Sequence, residues 1–290
     1  MLKRLTIDGW IRELVRMAVA EDFGTGDRTV ELAIPAETQG AGVIVARRDG
    51  VICGTVLIKE ILAKYGKLKC QLMVQDGAKV KAGRAVARIS GQVRAILSAE
   101  RVVLNFLGRM SGVATMTRRY VEAVKGTKAV ICDTRKTVPG WRSLDKYAVR
   151  CGGGVNHRMG LYDGVMLKDN HLAALRGNGM QACRLNRLVE LARRELPRGI
   201  MLWLEVDTLE QLAEAIGGGA DVVLLDNFSV AELRRAVAMR DKLGAKELLE
   251  ASGGITLGNV AAVAKTGVDR ISIGALTHSV PVLDLAMDWE

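Results

Sequence analysis

The sequence predicts an α/β protein: an open, incomplete α/β barrel joined to a smaller N-terminal mixed α/β domain. Two observations predict it. From residue 129 onward, short apolar runs alternate with amphipathic segments six times, the rhythm of repeating βα units. Those runs are apolar without alternation, as parallel strands covered on both faces must be. Six quickly returning units over 129–274 suit a partial barrel. A doubly wound sheet is the other arrangement this rhythm allows.

Taken in order, MLKRLTIDGWIRELVRMAVAEDFG reads as an amphipathic helix with Ile11, Leu14, Val15 and Ala18 on one face. Residues 40–97 alternate short apolar runs with D-G and A-G turns, the pattern of strands in a small sheet. Residues 98–125 read as a bridging helix. Ser98 is its expected cap, Glu100 lies in its first turn, and Val103, Phe106, Leu107 and Met110 form its stripe. Gly108 and Gly112 mark either a break or a close helix contact. Strands are expected at 129–133, 163–167, 200–206, 221–225, 246–251 and 270–274. Helices are expected at 183–195, 208–217, 229–242 and 256–265, with Thr208 and Ser229 at clean starts. The expected domains are 1–115, including most of the bridge, and 116–276; residues 277–290 could pack back on the first.

A chain of 290 residues, 49% hydrophobic but only 4% aromatic, packs its core with Ala, Val, Leu and Ile. Its charge of +10 admits nucleic acid, an anionic membrane surface or anionic small molecules as partners. No long Lys/Arg tract occurs and no aromatics interleave with the basic residues, which disfavours nucleic acid. Five cysteines, at 53, 70, 132, 151 and 183, include no C-x-x-C pair. They are read as structural, in a reducing compartment. No run of 18 apolar residues occurs, so a cytoplasmic protein without membrane spans is expected.

The polar residues carry the chemistry. Each expected strand of the second half ends in polar or glycine residues: Arg135 and Lys136; Lys168, Asp169 and Asn170; Glu205 and Asp207; Asp226 and Asn227; Ser252, Gly253 and Gly254; Gly274 and Ala275. In α/β barrels the strand C-termini form the active-site face. Arg135, Lys136, Arg158 and Lys168 make a cationic corner suited to carboxylate or phosphate. His157 lies within GGGVNHR, a place that favours ligand contact over a purely structural role. Glu205 and Asp226 form an acidic pair that could bind Mg²⁺ with substrate phosphates, or could pair structurally with nearby Lys or Arg. Ser252-Gly253-Gly254 and Gly274 offer bare backbone N–H groups to a phosphate. Read alone, Arg101 is a surface charge and His278 is structural.

These segments resemble the quinolinate phosphoribosyltransferase family, the type II phosphoribosyltransferases of NAD synthesis. EDFGTGDRT, SAERVVLNFLGRMSGVAT, DTRKTVPG, KYAVRCGGGVNHRMGLYDGVMLKDNH, LEVDT, VVLLDN, EASGGI and ISIGALTHS occur in family order. The run over 133–171 is the most specific. The resemblance implies transfer of phosphoribosyl from 5-phosphoribosyl-1-pyrophosphate to quinolinate with decarboxylation. It implies that Thr134, Arg135, Lys136, His157, Arg158 and Lys168 hold the two carboxylates and the pyrophosphate. Glu205 and Asp226 would hold the ribose hydroxyls and Mg²⁺, with Lys136 and Lys168 acting beside them in catalysis. Ser252, Gly253, Gly254, Ile273, Gly274 and Ala275 would line the 5′-phosphate site. It further implies a homodimer in which Arg101 enters the neighbouring subunit's site, with hexamers a further possibility. Arg28, Met159 and Gly164 vary beside the motifs and leave the implied assignments unchanged.

Three other readings remain. A molybdenum-linked paralogue of the same family is disfavoured by the intact KDNH after YDGVML. A Schiff-base barrel using Lys168 or Lys136 leaves the other cations and the acidic pair surplus. A basic nucleic-acid-binding module would carry its charges along one helix face, not at strand ends.

Overall fold

A computed structural model describes residues 4–168, 171 and 185–290, and their packing divides into two compact units. The first takes residues up to Arg118 with Thr137–Gly154 and Ala275–Glu290; the second takes Arg119–Lys136 and Val155–Gly274. Thr137–Gly154 therefore group with the N-terminal residues, although they lie inside the stretch expected to be barrel. The reason is a helix over Arg142–Gly152 whose buried face, including Leu144, Tyr147 and Cys151, packs within the first unit.

In that unit, α1 (Gly9–Phe23) starts at Asp8, whose carboxylate accepts from Ile11 N–H at 2.9 Å, and buries Ile11 and Val15. Helix α2 (Arg28–Ala33) is capped in the same way by Asp27. Strands β1 (Gln39–Ala46), β3 (Lys69–Leu72), β5 (Ala85–Gln92) and β12 (Leu285–Trp289) form an antiparallel sheet in the order β12-β1-β5-β3. The short β2 (Gly50–Val51) and β4 (Lys79–Val80) pair separately, and α3 (Thr55–Leu62) packs beside α1.

The bridge, α4, runs unbroken over Val93–Ala123 and begins five residues before the expected start. Ser98 is thus no cap; its hydroxyl donates to Asp27 at 3.0 Å. Of the two readings of Gly108 and Gly112, the close contact holds. A Cβ on Gly112 would collide with the backbone of Pro281 and Val282, and Leu283 N–H donates to Gly108 C=O at 2.9 Å. Helix α5 (Arg142–Gly152) carries buried Asp145, which pairs with Arg109 at 2.9 Å. Cys53 and Cys151 are buried, with sulfurs 3.4 Å apart, and burial pushes the Cys53 thiol up. Cys183 lies outside the described residues.

The second unit holds six parallel strands: β6 (Val130–Cys132), β7 (Gly164–Leu167), β8 (Met201–Val206), β9 (Val222–Asp226), β10 (Leu248–Ser252) and β11 (Arg270–Ser272). Their order is β6-β11-β10-β9-β8-β7. Among the described residues no ladder joins β6 to β7, so the sheet is open and no barrel closes. Helices α6 (Leu185–Glu195), α7 (Leu209–Ala215), α8 (Val230–Lys242) and α9 (Val260–Ala264) follow β7 to β10, and α10 (Ala275–His278) follows β11 into the first unit. Ser229 caps α8 with a reciprocal Glu232 contact. The last of the four expected helices starts late, at Val260, because Thr256 N–H turns back to the Asn259 side chain at 2.8 Å.

Candidate active site

Parallel strands place all their C-terminal ends along one edge of the sheet. Register then decides which side chains share a face. Lys168, one residue past β7, stands opposite Glu205, because Leu167 pairs with Leu204. Glu205 pairs with Leu224, and Leu224 with Glu250. Asp226 pairs with Ser252, and Glu250 with Arg270. With a side-chain period of two, Lys168, Trp203, Glu205, Asp226, Glu250, Ser252, Arg270 and Ser272 all project from the same face.

The first contact on that face is an ion pair between the Lys168 ammonium and the Glu205 carboxylate. Asp226, on the next strand, accepts from the Asn227 side chain at 2.9 Å. Asn227 is the one non-glycine described with a left-handed backbone, φ 56°. Its N–H donates to Ser252 C=O at 2.8 Å, which ties the end of β9 to the turn after β10. That turn runs through Gly253 (φ 91°) and Gly254 (φ 61°), and a Cβ on Gly253 would strike Asn227. The turn therefore needs glycine twice, for conformation and for space. At the neighbouring strand end, Ile273 N–H is bound to Cys132 C=O at 3.0 Å, with Gly274 beside it.

The cationic corner is built after β6. Fully buried Asp133 accepts from His157 N–H at 2.8 Å and from the Asn156 amide at 2.6 Å, which pins the NHR segment to the end of β6. Arg158 is half-buried and donates from Nη1 to Gly164 C=O at 3.1 Å. Its pKa is lowered first by burial and then by the charge of Arg135, against smaller opposing pulls from Asp163 and Glu205. Two guanidinium groups thus disfavour one another in a half-buried place, and a bound anion relieves that cost. Thr134 and Arg135 are half-buried beside them, and Lys136 is exposed.

His157 is buried and stacks on Trp203, with ring centroids 4.5 Å apart and 28° between planes. Its Nε2 lies 3.4 Å from Glu250. Asp133, Trp203 and Glu250 were not singled out from the sequence. Glu250 had a signal, a carboxylate inside the apolar run KELLEAS. Asp133 closes another such run. Trp203 had none.

The structure brings Thr134, Arg135, Lys136, His157, Arg158, Lys168, Glu205, Asp226, Ser252, Gly253, Gly254, Ile273 and Gly274 into one unit. Arg101 belongs to the other unit, exposed on α4, and Ala275 opens α10 there. Asp169 and Asn170, expected after the second barrel strand, lie outside the described residues.

Fold and site together are those of an α/β enzyme whose strand ends gather cations, carboxylates and a glycine turn in one unit. The family model for the quinolinate phosphoribosyl transferase N-terminal domain matches residues 27–111, and that for the C-terminal domain matches 113–288. A nicotinate-nucleotide pyrophosphorylase [carboxylating] of Mycobacterium leprae is 44% identical over 96% of both chains. A probable enzyme of that name from Bacillus subtilis is 43% identical over 96% of this chain and 93% of its own. The structure of the nicotinate-nucleotide pyrophosphorylase from Francisella tularensis superposes with a TM-score of 0.90 at 36% identity, covering 100% of this chain and 99% of that one. The chain belongs to the quinolinate phosphoribosyltransferase family.

Proposed function

We propose that the chain transfers the phosphoribosyl group of 5-phosphoribosyl-1-pyrophosphate to quinolinate with loss of CO₂, giving nicotinate mononucleotide and pyrophosphate for NAD synthesis. The observation that carries this reading is the half-buried Arg158 beside Arg135, since quinolinate's two adjacent carboxylates are an anion matched to paired guanidiniums. With one carboxylate, nicotinate leaves part of that corner uncompensated and is expected to be a poor substrate.

The pyridine nitrogen attacks ribose C1, a C–N bond forms, and the C1–O bond to pyrophosphate breaks with its electron pair on the leaving oxygen. Glu205 and Asp226 project from one face and favour the positive charge that develops on the sugar. Lys136 and Lys168 offset the growing negative charge on pyrophosphate. The alkylated ring nitrogen then draws the electron pair of the adjacent C–CO₂ bond, CO₂ departs, and the ring carbon is protonated. Arg135 and Arg158 orient the ring throughout, and the turn at Ser252–Gly254 together with Ile273, Gly274 and Ala275 seats the 5′-phosphate.

Glu205 and Asp226 also fit Mg²⁺. Two oxygen-donor carboxylates on neighbouring strands, with no third protein ligand clustered on them among the described residues, suit a cation held largely by substrate phosphates and water. Bound there, Mg²⁺ would neutralise pyrophosphate charge. We further propose a cytoplasmic homodimer in which exposed Arg101 serves the partner's site. Among the described residues no helix is long and apolar enough to cross a membrane. The deciding experiment mixes the protein with Mg²⁺ and both substrates and looks for nicotinate mononucleotide by mass. Its absence, with folded protein, ends this reading.

A further inference from the structure

Glu250 sits within β10 with no exposed surface, where a carboxylate is costly unless partnered. Its partners come from three separate segments. Arg270 Nε donates at 2.8 Å, the Ser272 hydroxyl donates to the other oxygen, and the Trp203 indole N–H approaches to 3.4 Å. The fourth neighbour is His157, with Nε2 3.4 Å from Oε1.

This last approach is longer than a well-formed hydrogen bond, and it sets the side of the imidazole that faces the carboxylate. The backbone N–H of Arg158 donates to Nδ1 at 2.7 Å, so Nδ1 carries the lone pair and the proton belongs on Nε2, toward Glu250. Trp203 covers one face of the ring. Both ring nitrogens therefore turn toward protein groups. The residue next in the chain is Arg158, whose guanidinium stands beside Arg135.

We infer that Glu250 is a positioning residue for the anion corner: it holds His157 in the Nε2–H form, and Nδ1 of His157 in turn fixes the backbone from which Arg158 reaches the substrate. Naming the ligand quinolinate rests on the function proposed above; the geometry does not.

The test has a spectroscopic and a kinetic arm. Histidine-labelled protein contains three imidazoles, and His157→Gln assigns the signal. Long-range ¹H–¹⁵N spectra of the wild type at neutral pH should show His157 as the Nε2–H tautomer, and Glu250→Gln should release it into a mixture. In steady-state assays Glu250→Gln should raise KM for quinolinate about tenfold or more, the scale on which loss of an imidazole's orienting partner is felt at built sites. KM for 5-phosphoribosyl-1-pyrophosphate should stay close to wild type. Ser272→Ala, which keeps the carboxylate and Arg270, should shift quinolinate KM the same way by less, and it decides the kinetic arm if Glu250→Gln does not fold. An Nδ1–H or doubly protonated ring in the wild type overturns the inference, as does a folded Glu250→Gln with unchanged quinolinate KM. If the wild type makes no nicotinate mononucleotide, the proposed function fails and the spectrum still judges the inference.

Discussion

Lys168 and Glu205 face one another at the ends of neighbouring parallel strands and form an ion pair there. Both side chains are largely withdrawn from solvent, Glu205 more than Lys168 at 13% against 36% exposure. On the proposed function, the pair would hold the ammonium toward pyrophosphate and the carboxylate toward the sugar. Lys168→Met keeps the chain length, removes the charge and leaves Glu205 without its partner. Turnover should fall about 10²–10³-fold, as for other lost electrostatic contacts to a charged transition state. Rapid-quench measurement of the chemical step reads this directly, and a wild-type rate in the variant would remove Lys168 from catalysis.

Arg135→Ala should separate the two substrates. After burial, the charge of Arg135 is the largest influence on half-buried Arg158, so its loss should weaken the proposed dicarboxylate corner and leave the glycine turn on the other strands intact. KM for quinolinate should rise by at least about tenfold, the equivalent of one charge-assisted contact of roughly 1.5–3 kcal/mol. Equilibrium binding of 5-phosphoribosyl-1-pyrophosphate, followed by calorimetry, should change little. Equal losses for both substrates would place Arg135 at the pyrophosphate.

How much of this was legible in the sequence follows from range. The parallel strands could be read because VVLL or IMLWL is apolar without alternation. The rim could be read because Lys168, Glu205, Asp226 and Gly253 each lie at or just past the C-terminal end of their own strand, a matter of chain order alone. Ser98 misled because it has the chemistry of a cap, yet its partner Asp27 lies 71 residues away. The His157–Glu250–Arg270–Ser272 cluster draws on three segments that only sheet register brings together. Thr137–Gly154 left the barrel stretch for a similar reason: the partners of α5, such as Asp76 for Tyr147 at 2.8 Å and Cys53 for Cys151, come from far upstream.

Gly253→Ala should damage phosphate binding and stability together. At φ 91° an alanine is strained whatever surrounds it, and here its Cβ would also press on Asn227. A non-glycine residue forced into such backbone costs of order 1–3 kcal/mol. Thermal unfolding should show a lowered Tm, and KM for 5-phosphoribosyl-1-pyrophosphate should rise while quinolinate affinity is spared. Gly254→Ala is the useful comparison for stability, because a Cβ there meets no protein atom within 4 Å; it should lower Tm by the backbone strain without the collision on Asn227.

Glu250 gives the protein an acid limit. Burial is the largest influence on this carboxyl and by itself would raise its pKa. Contacts with His157, Arg270 and Ser272 outweigh it and bring the value from 4.5 down to about 2. The folded value lies below the unfolded one, so as pH falls the unfolded chain takes up the proton first. The stability supplied by ionised Glu250 is therefore complete above about pH 4.5 and is lost between there and about pH 2. Over that window the loss is on the order of 3 kcal/mol, since each tenfold difference in proton affinity between the two states is worth about 1.36 kcal/mol. Glu250→Gln does not titrate, so the variant should be less stable than wild type at neutral pH, and the gap should narrow as the solution is acidified. Asp269, whose pKa is also lowered, titrates in both proteins, so the difference between the two urea-unfolding curves isolates Glu250. A gap that stays constant from pH 7 to pH 3 would show that this carboxyl carries no proton-linked stability.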